Sequence, residues 1–184
     1  MFRRAISTAI ALAALSLSTP AHATGKLVLL GDDWMLSNNA FQTNTDEAKN
    51  LADTLDSYLG ANRYAIFSNH TIAYGVSLTD HVRARGDTIE EILAIDLIAD
   101  YDTVLLSGNP GRADDPVNLS IWQSYLSSGR NLVIAAGSAR YGDASTEAEA
   151  WNPLTSLYGL TLGDTWFPRA QFRTEPVSGG TFAS

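Results

Sequence analysis

The chain has no cysteine. That excludes disulfide staples, a thiol nucleophile and any thiolate metal site, so the apolar core alone must hold the fold. Histidine is nearly as scarce, with three in 184 residues. Beyond His22 only His70 and His81 remain. A centre of three or four histidine ligands is therefore impossible, and only carboxylate-rich metal sites stay open. Basic residues are few, 12 against 20 acidic, for a formal net charge of −8. Without Arg3 and Arg4, ten basic residues face twenty acidic ones, a net charge of −10. Such a chain has no general phosphate-seeking surface, which argues against nucleic acid and anionic membranes as partners. Past the amino-terminal segment, no apolar run is long enough to span a bilayer.

That amino-terminal segment has its own pattern. Arg3 and Arg4 start it with positive charge, Ala5 to Leu17 are apolar but too short to span, and Ala21-His22-Ala23 is a small-x-small sequence. Residues 1–23 read as a secretory signal peptide cleaved after Ala23, rather than as a buried helix. The mature chain is then expected in the periplasm or outside the cell. It fits one domain over 24–167. Residues 168–184 are polar, with Gly179-Gly180, and predict a poorly ordered tail.

The domain alternates short apolar runs with amphipathic ones. Lys26 to Leu30 reads as a first strand, followed by the Asp32-Asp33-Trp34 loop and a polar turn at Ser37-Asn38-Asn39. Ala48, Leu51, Ala52, Leu55, Tyr58 and Leu59 recur at helical spacing, with Thr45 or Asp46 as cap and Gly60 as terminator. Tyr64 to Phe67 reads as a strand closed by Ser68-Asn69-His70. Ser77 caps a short helix ending near Gly86. Thr88 with Glu91 three residues on fits a capping box, so Ile89, Ile92 and Leu93 predict another brief helix. Thr103 to Leu106 carries no polar alternation and reads as a strand covered on both faces. It runs into Ser107-Gly108-Asn109-Pro110-Gly111, a turn-forming loop. Asp115-Pro116 then opens a helix that Gly129 ends, and Asn131 to Ala136 is a further buried strand. Thr146 to Tyr158 is expected to be helical, with Pro153 in its first turn or kinking it. Leu160 to Leu162 and Thr165 to Phe167 are candidate edge strands.

This order predicts an α/β fold, a three-layer α/β/α sandwich on a mostly parallel sheet. A flavodoxin-like strand order of 2-1-3-4-5 follows from short right-handed connections. It would set the Lys26–Leu30 and Thr103–Leu106 strands side by side. Their carboxyl-terminal loops would bring Asp32, Asp33, Trp34, Ser107, Asn109 and Arg112 together, and the Asn131–Ala136 strand would add Ser138 and Arg140. These eight residues form a candidate binding rim for a polar small molecule or a divalent cation. The competing account is that Asp32 and Asn109 only close turns and Arg112 pairs with a nearby acid.

Nucleophilic chemistry has weaker footing. Gly31-Asp32-Asp33 invites comparison with the Gly-Asp-Ser block of SGNH hydrolases, but Asp33 stands where their serine belongs and no histidine follows His81. Ala136-Gly137-Ser138 resembles a nucleophile elbow, yet Gly142 is misplaced for its second glycine. His70 reads as a solvated or hydrogen-bonded loop residue and His81 as a helix-surface one. Trp122 and Trp151 fall on apolar helix faces, whereas Trp34 lies in a candidate site loop.

The sequences Val28-Leu29-Leu30-Gly31-Asp32-Asp33-Trp34-Met35-Leu36-Ser37, Tyr101-Asp102-Thr103-Val104-Leu105-Leu106-Ser107-Gly108-Asn109, Glu147-Ala148-Glu149-Ala150-Trp151-Asn152 and Tyr158-Gly159-Leu160 carry a likeness. They resemble a family of exported bacterial proteins of unassigned function, similar to the class I glutamine amidotransferase-like, flavodoxin-like domains. The resemblance spans most of 26–167 and implies fold and export. It carries over no catalytic residue, because Ala136-Gly137-Ser138 stands where the amidotransferases have cysteine. The family's short surface-sorting tail is also absent after Phe182-Ala183-Ser184, which implies a shortened member. The expectation is an exported, non-catalytic domain that binds a polar ligand or a surface partner, with no cofactor and no metal. The alternative is a hydrolase acting through Ser138 or a metal at Asp32 and Asp33.

Overall fold

A computed structural model of the chain describes residues 25–32, 34–70, 73–136 and 144–164. The expected leader, tail and Thr165–Phe167 strand lie outside them, as do the candidate site residues Asp33, Ser138 and Arg140.

Among the described residues five strands form one parallel sheet: β1 (Leu27–Leu30), β2 (Arg63–Ser68), β3 (Thr88–Glu91), β4 (Thr103–Ser107) and β5 (Asn131–Ala135). The helices are α1 (Asn38–Thr43), α2 (Thr45–Leu59), α3 (Val76–Ala84), α4 (Pro116–Ser127) and α5 (Ala144–Thr155). Six residues of 3-10 helix, Ile95–Asp100, join β3 to β4. The α/β/α sandwich is therefore present, with every strand pair parallel.

Local chemistry sets most boundaries. The Ser37 hydroxyl accepts the Ala40 N–H and starts α1, where the sequence predicted only a turn. Asp46 and Glu47 sit in the first turn of α2, against the positive end of its dipole. Gly60 ends that helix in the left-handed region, φ 65°. Asp115 accepts the Val117 and Asn118 N–H groups, and Pro116 fills the first position of α4. Pro153 lies near the end of α5, where its missing N–H costs a single helical bond.

Two core layers sandwich the sheet. On one face Phe41, Ala48, Leu59 and Leu78 from α1, α2 and α3 pack on Tyr64, Ile66, Leu105 and Val133. On the other, Trp122 and Leu126 of α4 and Trp151 and Leu154 of α5 pack on Phe67, Val104, Leu106 and Ile134. Neighbours along each strand alternate between the layers, as the pleat requires.

Two expectations are corrected here. The sheet order is β1-β5-β4-β2-β3, so the first strand is an edge beside β5 and does not touch β4. Where both faces are covered by helices, edge and central strands have the same apolar composition, so Leu27–Leu30 carries no mark of its position. Thr88–Glu91 is the other edge strand and not a capped helix. Its single buried side chain, Ile89, faces α3, and Arg63 to Ile66 supply a ladder for it. Tertiary pairing overrides the local capping signal. Leu160 to Leu162 forms no strand; Asn152 holds it through both the Leu162 N–H and its carbonyl.

Candidate functional site

The connections after β2 and β4 leave the sheet on opposite faces. β2 leads through α3 outward to β3, whereas β4 leads through α4 the other way, to β5. The carboxyl ends of β2 and β4 therefore flank a topological switch point, the place where α/β sheets open a crevice.

Asn69 and Asn109 bridge this crevice. The Asn69 amide nitrogen donates to Asn109 Oδ1 at 2.9 Å, and the Asn109 backbone N–H donates to Asn69 Oδ1 at 3.1 Å. Gly108 makes room for the pair. Its φ is +75°, and a Cβ there would lie 1.9 Å from Asn69 Oδ1. Beneath the bridge, Ser68 Oγ lies 3.1 Å from the carbonyls of both His70 and Ser107 and accepts the His70 N–H at 2.9 Å. Ser107 and His70 are buried, with Ser107 Oγ 3.5 Å from His70 Nδ1. The Tyr74 hydroxyl donates to the Leu106 carbonyl at 3.0 Å.

Two indoles hold the β4 loop from the other face. Trp151 donates to the Gly108 carbonyl at 2.9 Å and Trp122 to the Gly111 carbonyl at 2.7 Å. Their rings meet edge-on, centroids 6.4 Å apart. Both are core residues, as their helix faces predicted. Glu147 lies one turn before Trp151 on the same side of α5, and is buried. It is a buried carboxylate that the sequence pattern did not single out.

Of the predicted rim, Ser107 and Asn109 share this crevice. Asp32 and Trp34 sit after β1, two strands from β4, or about 10 Å at the usual strand spacing. Asp32 Oδ1 accepts the Trp34 N–H at 2.8 Å, so this aspartate closes a turn. Arg112 forms a two-pronged pair with Asp114, at 2.9 and 2.6 Å. The pairing holds the Asp114 carboxyl below its usual range and raises Arg112. The Lys26–Leu30 and Thr103–Leu106 strands do not share a switch point, because β5 lies between them. In its place stands a crevice between β2 and β4 that adds Asn69 and His70. Of the two expectations for His70, solvated or hydrogen-bonded, the second holds: it is 2 % exposed and its N–H donates to Ser68 Oγ. The run Ser68-Asn69-His70, at the end of a strand, was the available signal. Among the described residues, no group of three or more His, Asp or Glu could hold a metal ion.

No protein-family model matches the chain, and no curated protein does. Among solved structures, the C-terminal domain of a possible DNA helicase from Lactobacillus plantarum WCFS1 aligns over 62 % of this chain and 75 % of its own, at 15 % identity and a TM-score of 0.29. Likeness at that level bears on neither fold nor function.

Proposed function

We propose that this chain is an exported domain that binds an uncharged polar small molecule, such as a sugar, in the crevice between β2 and β4, without covalent chemistry. The observation that carries the reading is the Asn69–Asn109 bridge. It fixes two carboxamides across the switch point, both open to solvent in part. It leaves the Asn109 amide nitrogen to donate to a ligand oxygen. Recognition by hydrogen bonds rather than by charge follows from Arg112, whose guanidinium is engaged by Asp114. The serine hydroxyl beside His70, Ser107 Oγ, is fully buried and offers no approach to a substrate carbonyl. The resemblance to amidotransferase-like proteins fits, since the cysteine that would act there is missing from the chain.

Export rests on the residue 1–23 pattern, and mass spectrometry of secreted material should give a mature chain starting at Thr24. For the ligand, the mature domain is titrated with neutral sugars, nucleotides and divalent ions while thermal stability is read. A neutral sugar should raise the melting temperature in the parent and not in Asn109→Ala. No shift with any compound would sink the small-ligand reading, and turnover of ester or phosphoester probes would sink the non-catalytic one.

A further inference from the structure

We infer that the outer face of the Ile95–Asp100 3-10 helix, with the adjoining row of α4, docks a basic amphipathic helix of another protein.

The 3-10 helix is amphipathic in an unusual sense. With three residues per turn, Ile95 and Ile98 fall on one row, and both join the core layer with Ala65 and Phe67 of β2. The other two rows, Asp96 with Ala99 and Leu97 with Asp100, are exposed. Leu93 and Ala94, just ahead of them, are exposed as well. Leu93 is 91 % exposed and Leu97 44 %. The side away from the sheet therefore mixes apolar residues with carboxylates and carries no base.

α4 lies alongside. Ile95 and the Trp122 ring both reach the point where a Cβ on Gly111 would fall. The Tyr125 hydroxyl donates to the Tyr101 carbonyl at 3.0 Å. Tyr125 thus marks the side of α4 that faces the 3-10 helix, and Ile121 and Val117 continue that side one and two turns earlier. Val117 is 68 % exposed and Ile121 partly so. Leu93, Leu97 and Val117 belong to one outer surface. Apolar side chains gathered inside a polar frame mark a protein contact.

The frame fixes the sign of the partner. Residues 90–115 carry seven acids and one base, Arg112, which Asp114 engages. The rest of the chain beyond residue 23 carries thirteen acids against nine bases, so negative charge is concentrated here. Asp96 and Asp100 interleave with the apolar side chains, and Glu91, Asp114 and Asp115 lie within three residues of Leu93 or Val117. Arg63 stands at the far end, over the Tyr101 ring. A second copy would set these acids against one another, and an anionic membrane would be repelled in the same way. Lysine or arginine beside leucine-like side chains is the complement. The 3-10 helix runs about 12 Å, the length of two α-helical turns, and an amphipathic helix laid on an apolar surface is a recurring mode of recognition.

Fluorescence anisotropy of a labelled amphipathic helix of leucine and lysine, titrated with the mature chain, tests this. The helix should bind at about 10 μM in low salt and more weakly as salt rises, and a leucine–glutamate helix of the same pattern should not bind. Leu93→Gln with Val117→Gln should weaken binding by about 10-fold. Asp96→Lys with Asp100→Lys should weaken it by about as much. Val76→Gln with Asp80→Lys, an exposed apolar residue one turn from an exposed acid on α3 across the sheet, should leave binding unchanged. Where the first pair fails to fold by circular dichroism, the charge pair decides alone. No binding by the parent, equal binding of the glutamate helix, or an equal loss in the α3 variant overturns the proposal. A parent dimer in sedimentation that Leu93→Gln dissociates overturns it too, and assigns the surface to a second copy.

Discussion

Replacing Gly108 by alanine tests the bridge over the crevice directly. Gly108 has φ +75°, and a Cβ there would lie 1.9 Å from Asn69 Oδ1. Holding an L side chain in the left-handed region costs about 1–2 kcal/mol. The methyl group also displaces the Asn69 carboxamide, which loses two hydrogen bonds worth about 0.5–1.5 kcal/mol each. Gly108→Ala should therefore destabilise by about 2–5 kcal/mol. Asn69→Ala loses only the two bonds, about 1–3 kcal/mol. If the residues act separately, the double variant should lose about 3–8 kcal/mol; if both act through one bridge, it stays at about 2–5, because the bonds can be lost once. Urea unfolding followed by circular dichroism gives each value from the midpoint, provided the slope is unchanged. Additivity within about 0.5 kcal/mol would refute the reasoning.

Two further outcomes follow from the same packing. Trp151→Phe keeps most of the ring but strands the buried Gly108 carbonyl, at a cost of about 1–3 kcal/mol. Thermal unfolding should fall by about 2–4 °C for each of those kcal/mol, and an unchanged midpoint would show the indole bond to be idle. On the outer face of the α2–α3 layer, Asp53 is held below the usual carboxylate range, first by its hydrogen bond to His81 and then by Arg85. A depressed carboxyl pKa adds stability above the unfolded value, about 3.9, and loses it as pH falls through the lower native value. Asp53→Asn should thus be less stable than the parent near pH 5, with the gap closing below about pH 4. A gap that widens in acid would reverse the sign assigned to this group.

Much of the frame is legible because single residues announce it. Thr103–Ser107 and Asn131–Ala135 are apolar enough to be covered on both faces, and they are the two wholly buried strands. The apolar stripe of Thr45–Leu59 and its Gly60 stop were readable, although the cap is Asn44 and not Thr45 or Asp46, and the Asp115-Pro116 start was readable to the residue. Strand order was not readable, since no local pattern says which of two equally apolar strands lies outermost. The site suffers from that directly. Asp32 reaches the rim only through the assumed neighbourhood of β1 and β4, and removing the neighbourhood leaves an aspartate closing its own turn. Arg112 finds its acid two residues away, which spacing alone allows but does not require. Asn69 went unnoticed for the converse reason, since its partner lies 40 residues on.

The position of β1 also constrains how the molecule can come together in time. Among the described residues its neighbour in the sheet is β5, and Asn131 fastens the two: its Oδ1 accepts the Lys26 N–H, 105 residues back. The Asn131 amide reaches on to the Leu59 carbonyl and the Thr103 hydroxyl, so one side chain joins four segments. Loop-closure entropy must be met before such distant contacts contribute, which slows folding. In a chain made from its amino end, β1 waits for β5, the last made of the five described strands. β2, β3 and β4 are available to one another well before then. Of the five described strands, Leu27 to Leu30 is thus the first made and the last to find its partner.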